Sequence, residues 1–136
     1  MRIKYILTIV FTFTVALNIC GQADKGIPVD TANQAILQFE TKLVDLGEVK
    51  VNSKTSGKFI VSNKGGQHLV IKEVKPHCGC TVASYSNHPI APGKSGEINF
   101  EYSAPTQSAV IRKTMVVVAN TYEKSYLVKI KAKVIE

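Results

Sequence analysis

Tryptophan is absent from this 136-residue chain, and cysteine occurs only three times, at Cys20, Cys78 and Cys80. No widely spaced cysteine pair faces a buried indole, so the inter-sheet disulfide of antibody domains is excluded and any core must hold by packing alone. Beyond residue 19 no apolar run is long enough to cross a bilayer as a helix. The same region shows no apolar period near 3.6 residues, which argues against helices as its building blocks. The Cys-x-x-Cys of thioredoxin-type oxidoreductases is missing. So is the second cysteine pair that a closed four-ligand zinc site needs. Aromatic side chains do not interleave with the lysines, which removes the stacking platform of a single-strand binder and argues against nucleic acid as a partner.

What is present begins with a basic start, Met1-Arg2-Ile3-Lys4, followed by an apolar run from Tyr5 to Ile19. That run is too short to span a membrane and reads as the core of a secretory signal. Gly21-Gln22-Ala23 supplies small residues for a cut after Ala23. The expected organisation is therefore a signal peptide over 1–23, a flexible lead-in over 24–35 and one domain over 36–136. Leu17-Asn18-Ile19-Cys20 offers an alternative, since it resembles a bacterial lipobox in which Cys20 is lipidated and anchors the chain to a membrane. Ile19 departs from that pattern, where a small residue is usual. Either route delivers the domain outside the cytoplasm, periplasmic or secreted, with membrane contact only through lipidation at Cys20.

The formal charge is +7, from 17 basic and 10 acidic residues. Removing Arg2 and Lys4 with the signal leaves 15 basic residues and about +5. In Lys129-Ile130-Lys131-Ala132-Lys133-Val134 lysine alternates with apolar residues, placing three lysines on one face of a strand. Such a face is expected to be solvated, or to blunt an edge strand against aggregation; an anionic partner is the other use for it.

Short β-rich runs punctuated by glycine, proline and asparagine fill the rest. They fall at Ile36–Glu40, Leu43–Gly47, Thr55–Ser62, Leu69–Val74, Thr81–Tyr85, Glu97–Tyr102, Val110–Ala119 and Tyr126–Ile135. Asn63-Lys64-Gly65-Gly66 carries hairpin-turn chemistry, because asparagine and glycine tolerate positive φ. Met115-Val116-Val117-Val118 reads as a central strand buried on both sides. Seven or eight short strands in about 100 residues point to an all-β, immunoglobulin-like antiparallel β-sandwich of about seven strands.

His77-Cys78-Gly79-Cys80-Thr81 is the one stretch set out for chemistry. In an extended strand Cys78 and Cys80 share a face, about 6.5 Å apart at Cβ, whereas a disulfide needs about 3.5–4.5 Å. A shared metal, with Cys–metal bonds of about 2.3 Å, also draws the sulfurs together. Either product needs a turn at Gly79, which can take φ > 0. Spacing alone leaves both open. As metal ligands, Cys78 and Cys80 with His77, or with His88 folding back, would suit copper(I) or zinc. As a redox pair, a short strained disulfide would be relatively oxidising, with Lys75 and His77 nearby to lower a thiol pKa. A Cys–His hydrolase would need His88 as base and a third orienting group, for which no signature is visible.

Taken together, Asp45-Leu46-Gly47, Asn63-Lys64-Gly65, Cys78-Gly79-Cys80-Thr81 and Pro92-Gly93, followed by a closing β segment, resemble the bacterial domain-of-unknown-function family 1573. That family is similar to the immunoglobulin-like domains of the ASH, SPD-2 and Hydin group. The resemblance covers roughly Ile36 to Val134. It implies an exported seven-stranded sandwich, common in Bacteroidetes, with no established activity. Such sequences often hold serine before the first cysteine, so a histidine ligand at His77 would be particular to this chain. The expectation is a non-enzymatic binding or structural module of the cell envelope, needing no cofactor, whose partner is a protein or another envelope component. The Cys-Gly-Cys turn would stabilise or present a loop.

Overall fold

The computed structural model describes residues 31–136. The expected signal, Cys20 and most of the lead-in lie outside the described residues. A 3-10 turn at Thr31–Asn33 precedes eight strands: β1 (Leu37–Phe39), β2 (Leu43–Lys50), β3 (Lys54–Asn63), β4 (Ile71–Pro76), β5 (Thr81–Tyr85), β6 (Ser95–Ser103), β7 (Ala109–Ala119) and β8 (Ser125–Ile135). They form two four-stranded sheets, ordered β1-β3-β6-β5 and β2-β8-β7-β4. The all-β sandwich expected from the turns is the fold. Its eight strands fall on the eight runs read from the sequence, and it differs from an antiparallel sandwich in one pair, because β2 runs parallel to β8.

That parallel pair arises where the chain changes sheets. β1 pairs antiparallel with the end of β3, and within a few residues β2 lies against β8. Thr41 covers the crossing: its hydroxyl donates to Leu43 O (2.8 Å) and accepts from Leu43 N (3.2 Å). Gly47, expected to end the strand, sits inside β2 at φ 69°, where the register slips between Asp45 and Glu48. The slip is a bulge, and glycine is the residue that takes left-handed φ without a Cβ penalty. Asp45 Oδ1 accepts the Gly47 N–H at 2.9 Å and holds the bulge closed.

Period-two alternation decides which side chains are buried. On β6, Ile98, Phe100 and Tyr102 point inward while Glu97 and Asn99 face solvent; on β8, Val128, Ile130, Ala132 and Val134 point inward between the lysines. Phe59 and Phe100 meet in the centre with ring centroids 5.3 Å apart. Gly57 lies directly opposite Phe100, and a Cβ there would collide with the ring. A smaller cluster of Val49, Tyr102 and Ala132 closes one end of the sandwich, with Leu46, Cys80, Ala104 and Ile111 packed against it. Val116 and Val118 are only half-buried. The apolar run in β7 is therefore not covered on both sides, because a two-layer sandwich leaves the outer face of each sheet to water.

Asn63-Lys64-Gly65-Gly66 does not form a hairpin. β3 and β4 belong to different sheets, so this segment is a crossing between layers. Asn63 is fully buried, and its amide organises the crossing. Nδ2 donates to Gln67 O (2.7 Å) and Ile90 O (2.9 Å), while Oδ1 accepts from Gly65 N (3.0 Å) and Ile36 N (3.4 Å). One side chain thus ties together the crossing, the start of β1 and the loop before β6. The segment before β1 lies along the crossing through Lys64 N to Ile36 O (2.9 Å) and Gln67 N to Gln34 O (3.2 Å). A Cβ on Gly65 would strike the backbone of Gln34 and Ile36, and one on Gly66 the backbone of Ala32.

Candidate functional site

The Cys-Gly-Cys turn joins β4 to β5 and so carries the chain from one sheet to the other. It is clamped at both ends by backbone hydrogen bonds. His77 N donates to Thr114 O of β7 (3.0 Å), and Ser103 N of β6 donates to Cys80 O (2.9 Å). Thr81 N donates back to Cys78 O (3.4 Å). The two Cα atoms are 5.3 Å apart and the sulfurs sit at disulfide bonding distance. The backbone contracts without a left-handed residue: among the described residues Gly47 and Gly93 are the glycines at positive φ, and Gly79 is not. Apart from its two cysteine neighbours, a Cβ on Gly79 would meet nothing within 4 Å. The turn therefore does not rest on the conformational freedom expected of Gly79.

The two sulfurs have unlike surroundings. Cys80 packs against the small cluster of Val49, Tyr102 and Ala132, whereas Cys78 belongs to neither core cluster. Cys78 Sγ lies 3.9 Å from the Thr81 hydroxyl. Both cysteines are half-buried, and His77 and Gly79 between and beside them are exposed. Lys75 is also exposed, and its ammonium is paired with Glu73 at 3.0 Å. His88 is exposed in the loop after β5, where its Nδ1 is 3.2 Å from Ser86 Oγ and its backbone N–H donates to the same oxygen (3.1 Å). That is a local serine turn; a cleft of about 410 Å³ beside it is lined by Ile71, Ile90, Gly96 and Glu97 among others. Among the described residues no three His, Cys, Asp or Glu side chains gather where they could hold a metal ion.

The lysine stripe lies on the solvated face of β8, and β8 is an interior strand flanked by β2 and β7. It therefore does not blunt an edge. Lys131 Nζ pairs with Asp45 at 3.2 Å and Lys133 Nζ with Glu48 at 2.7 Å. The Asp45 carboxyl is held below its ordinary pKa, first by the Gly47 N–H and then by Lys131; Glu48 is held low by Lys133. Burial pushes the Tyr102 phenol up, and does the same to Tyr126 against the opposing hydrogen bond to Thr121. Lys129 stands opposite exposed Leu43, and Lys133 opposite exposed Val110.

Two layers of four strands, a change of sheet between β1 and β2, no inter-sheet disulfide among the described residues and a clamped β4–β5 turn define a sandwich of the immunoglobulin-like, PapD-like class. The ASH/PapD-like domain 7 of human CEP192 has this fold, with a TM-score of 0.55 at 10% identity over 76% of this chain and 87% of that one. The chain belongs to the family described as Protein of unknown function (DUF1573), which matches it over residues 37–134. A protein of unknown function from Porphyromonas gingivalis W83 superposes with a TM-score of 0.63 at 19% identity, over 79% of this chain and 51% of that one. The Vibrio cholerae VesB protease contains a similar domain, with a TM-score of 0.56, 13% identity and coverage of 79% and 33%. The chain thus spans about half of the first of these bacterial proteins and a third of the second. At these identities the likeness is one of fold. No curated protein sequence matches the chain.

Proposed function

We propose that this protein is a non-enzymatic binding or structural module that works at the bacterial cell envelope, after export, with the Cys78–Cys80 turn fixing the loop between its two sheets. The observation that carries the reading is the cysteine pair itself, half-exposed and at bonding distance in a turn clamped to β6 and β7. Disulfides of this kind persist in oxidising compartments, which agrees with the signal-like start of the sequence. Sandwiches of this class present loops and strand edges to partners, and that analogy supports a protein or envelope component as the ligand. The exposed side chains of Leu43, Leu127 and Val110, set among Lys129, Arg112 and Lys133, supply both apolar and cationic contact area on one sheet.

The test is fractionation of a Bacteroidetes culture expressing the full chain, followed by native mass spectrometry and cross-linking of the envelope fraction. Export predicts a mature chain starting after Ala23; a lipid adduct on Cys20 would replace free export by anchoring. A cytoplasmic, uncleaved chain overturns the reading. Copper or zinc bound to the purified protein, and lost on replacing Cys78 and Cys80, would make it a metal-handling protein instead. Binding by the Cys78→Ser, Cys80→Ser variant equal to that of the parent would show the turn to be dispensable and move the contact to the lysine face.

A further inference from the structure

We propose that Cys78 and Cys80 form an exchangeable redox pair, with Cys78 as the sulfur attacked by an incoming protein thiol and Gly79 as the open approach to it. The asymmetry of the two sulfurs assigns the roles. Cys80 is packed against the apolar cluster at the end of the sandwich, and that apolar contact disfavours a thiolate there. Cys78 lies outside both clusters, beside the Thr81 hydroxyl, which can donate to a developing thiolate. Gly79 is exposed, takes no left-handed φ and, its two cysteine neighbours aside, has empty space where a Cβ would be, so neither turn geometry nor packing against the rest of the fold calls for glycine. What its small size does provide is clearance over the bond.

The scaffold is built to survive opening of that bond. The loop closed by a sequence separation of 2 is so short that the constraint it places on the unfolded chain is small. The hydrogen bonds from His77 N to Thr114 O and from Ser103 N to Cys80 O hold the turn independently of the sulfurs.

The step balances with one co-reactant, a dithiol on a partner protein. Its thiolate attacks Cys78 Sγ, the Cys78–Cys80 bond breaks, and the electron pair leaves on Cys80 Sγ, which takes the proton of the partner's second thiol as it departs, so no thiolate is left against the apolar cluster. The partner's second thiolate then displaces Cys78 from the mixed disulfide. Two electrons have passed from the partner to the pair, leaving a partner disulfide and two thiols here.

The experiment incubates the full mature chain in buffers spanning reduced to oxidised glutathione, quenches with acid, alkylates and weighs the products. The pair is expected to titrate between disulfide and dithiol within that range. With oxidised glutathione, the Cys80→Ser variant should form its mixed disulfide at Cys78 at least about tenfold faster than Cys78→Ser does at Cys80. Gly79→Phe should leave thermal unfolding unchanged while slowing reduction by reduced, unfolded ribonuclease at least about fivefold. A pair that stays fully oxidised or fully reduced across the range overturns the proposal without recourse to any variant. Equal rates for the two single-cysteine variants would overturn the assignment of Cys78, and parental kinetics in Gly79→Phe would overturn the role of Gly79.

Discussion

Replacing Asn63 with alanine should be the most damaging single polar substitution in this domain. The side chain is fully buried and makes three well-formed hydrogen bonds of 2.7, 2.9 and 3.0 Å, plus a longer one of 3.4 Å. At about 1 kcal/mol for each of the three good bonds the loss is about 3 kcal/mol. The Gln67 carbonyl and the buried Gly65 N–H, left without partners, raise it toward about 5 kcal/mol, whereas Ile90 O keeps the Leu69 N–H at 2.9 Å. For a domain of this size that lowers Tm by roughly 12–25 °C, readable by circular dichroism at 218 nm or by calorimetry. Asn63→Asp separates the amide's donors from its shape. A carboxylate at this point would aim an anionic oxygen at two carbonyls, so at neutral pH this variant should be less stable than Asn63→Ala. Its folded pKa is then raised above the unfolded value of about 3.9, and the penalty is full above the folded pKa and shrinks as pH falls through it. Stability measured relative to the parent should therefore rise on acidification. An Asn63→Ala variant within about 1 kcal/mol of the parent would refute the reasoning, as would an Asn63→Asp deficit independent of pH.

Gly57→Ala places a methyl group on the Phe100 ring and should cost about 1–3 kcal/mol by overpacking, measured by urea unfolding; Phe100→Leu in the same chain should recover part of it. Gly65→Ala should lift the segment around Gln34 and Ile36 off the crossing, seen as faster amide exchange at Ile36 and Lys64 than in the parent. The Asp45 and Glu48 carboxyls have depressed pKa values in the fold, so their contribution is complete above the unfolded values and is lost as pH falls through the folded ones. Tm should accordingly fall below about pH 4, and less steeply in the Asp45→Asn, Glu48→Gln double variant. Reducing Cys78–Cys80 should remove only about 1–2 kcal/mol, because the loop it closes is minimal. A loss of global structure on reduction would contradict that.

Strand positions were legible because alternation is a local property. Thr81–Tyr85 was read at the bounds it adopts, and Glu97–Tyr102 revealed its inward side by strict alternation. Partnership between strands was not legible in the same way. Asn63-Lys64-Gly65-Gly66 has the composition of a hairpin turn, yet a turn becomes a hairpin or a layer crossing according to which sheet the next strand joins. That choice is made by Leu69 and Ile71 packing into the shared core, which the turn sequence does not encode. Burial of Asn63 was invisible for the same reason, since its partners at Ile36 and Ile90 are 27 residues away on either side. At the cysteine turn the spacing predicted approach of the two thiols, and they do approach. The difference between the sulfurs follows from Tyr102 and Ala132, which arrive on distant strands.

The parallel pairing of β2 with β8 sets an order of events. Asp45 meets Lys131 across 86 residues of sequence, so β2 has no sheet partner until β8 exists. β3 and β6 can pair earlier, but one edge of the sandwich waits for Ser125–Ile135. A domain of this topology cannot complete its fold while β8 is still inside a ribosome or a translocation channel. If it is exported as proposed, the pairing of β2 closes only when Ser125–Ile135 arrives, and truncation of β8 alone would leave Leu43–Lys50 an unpaired ribbon.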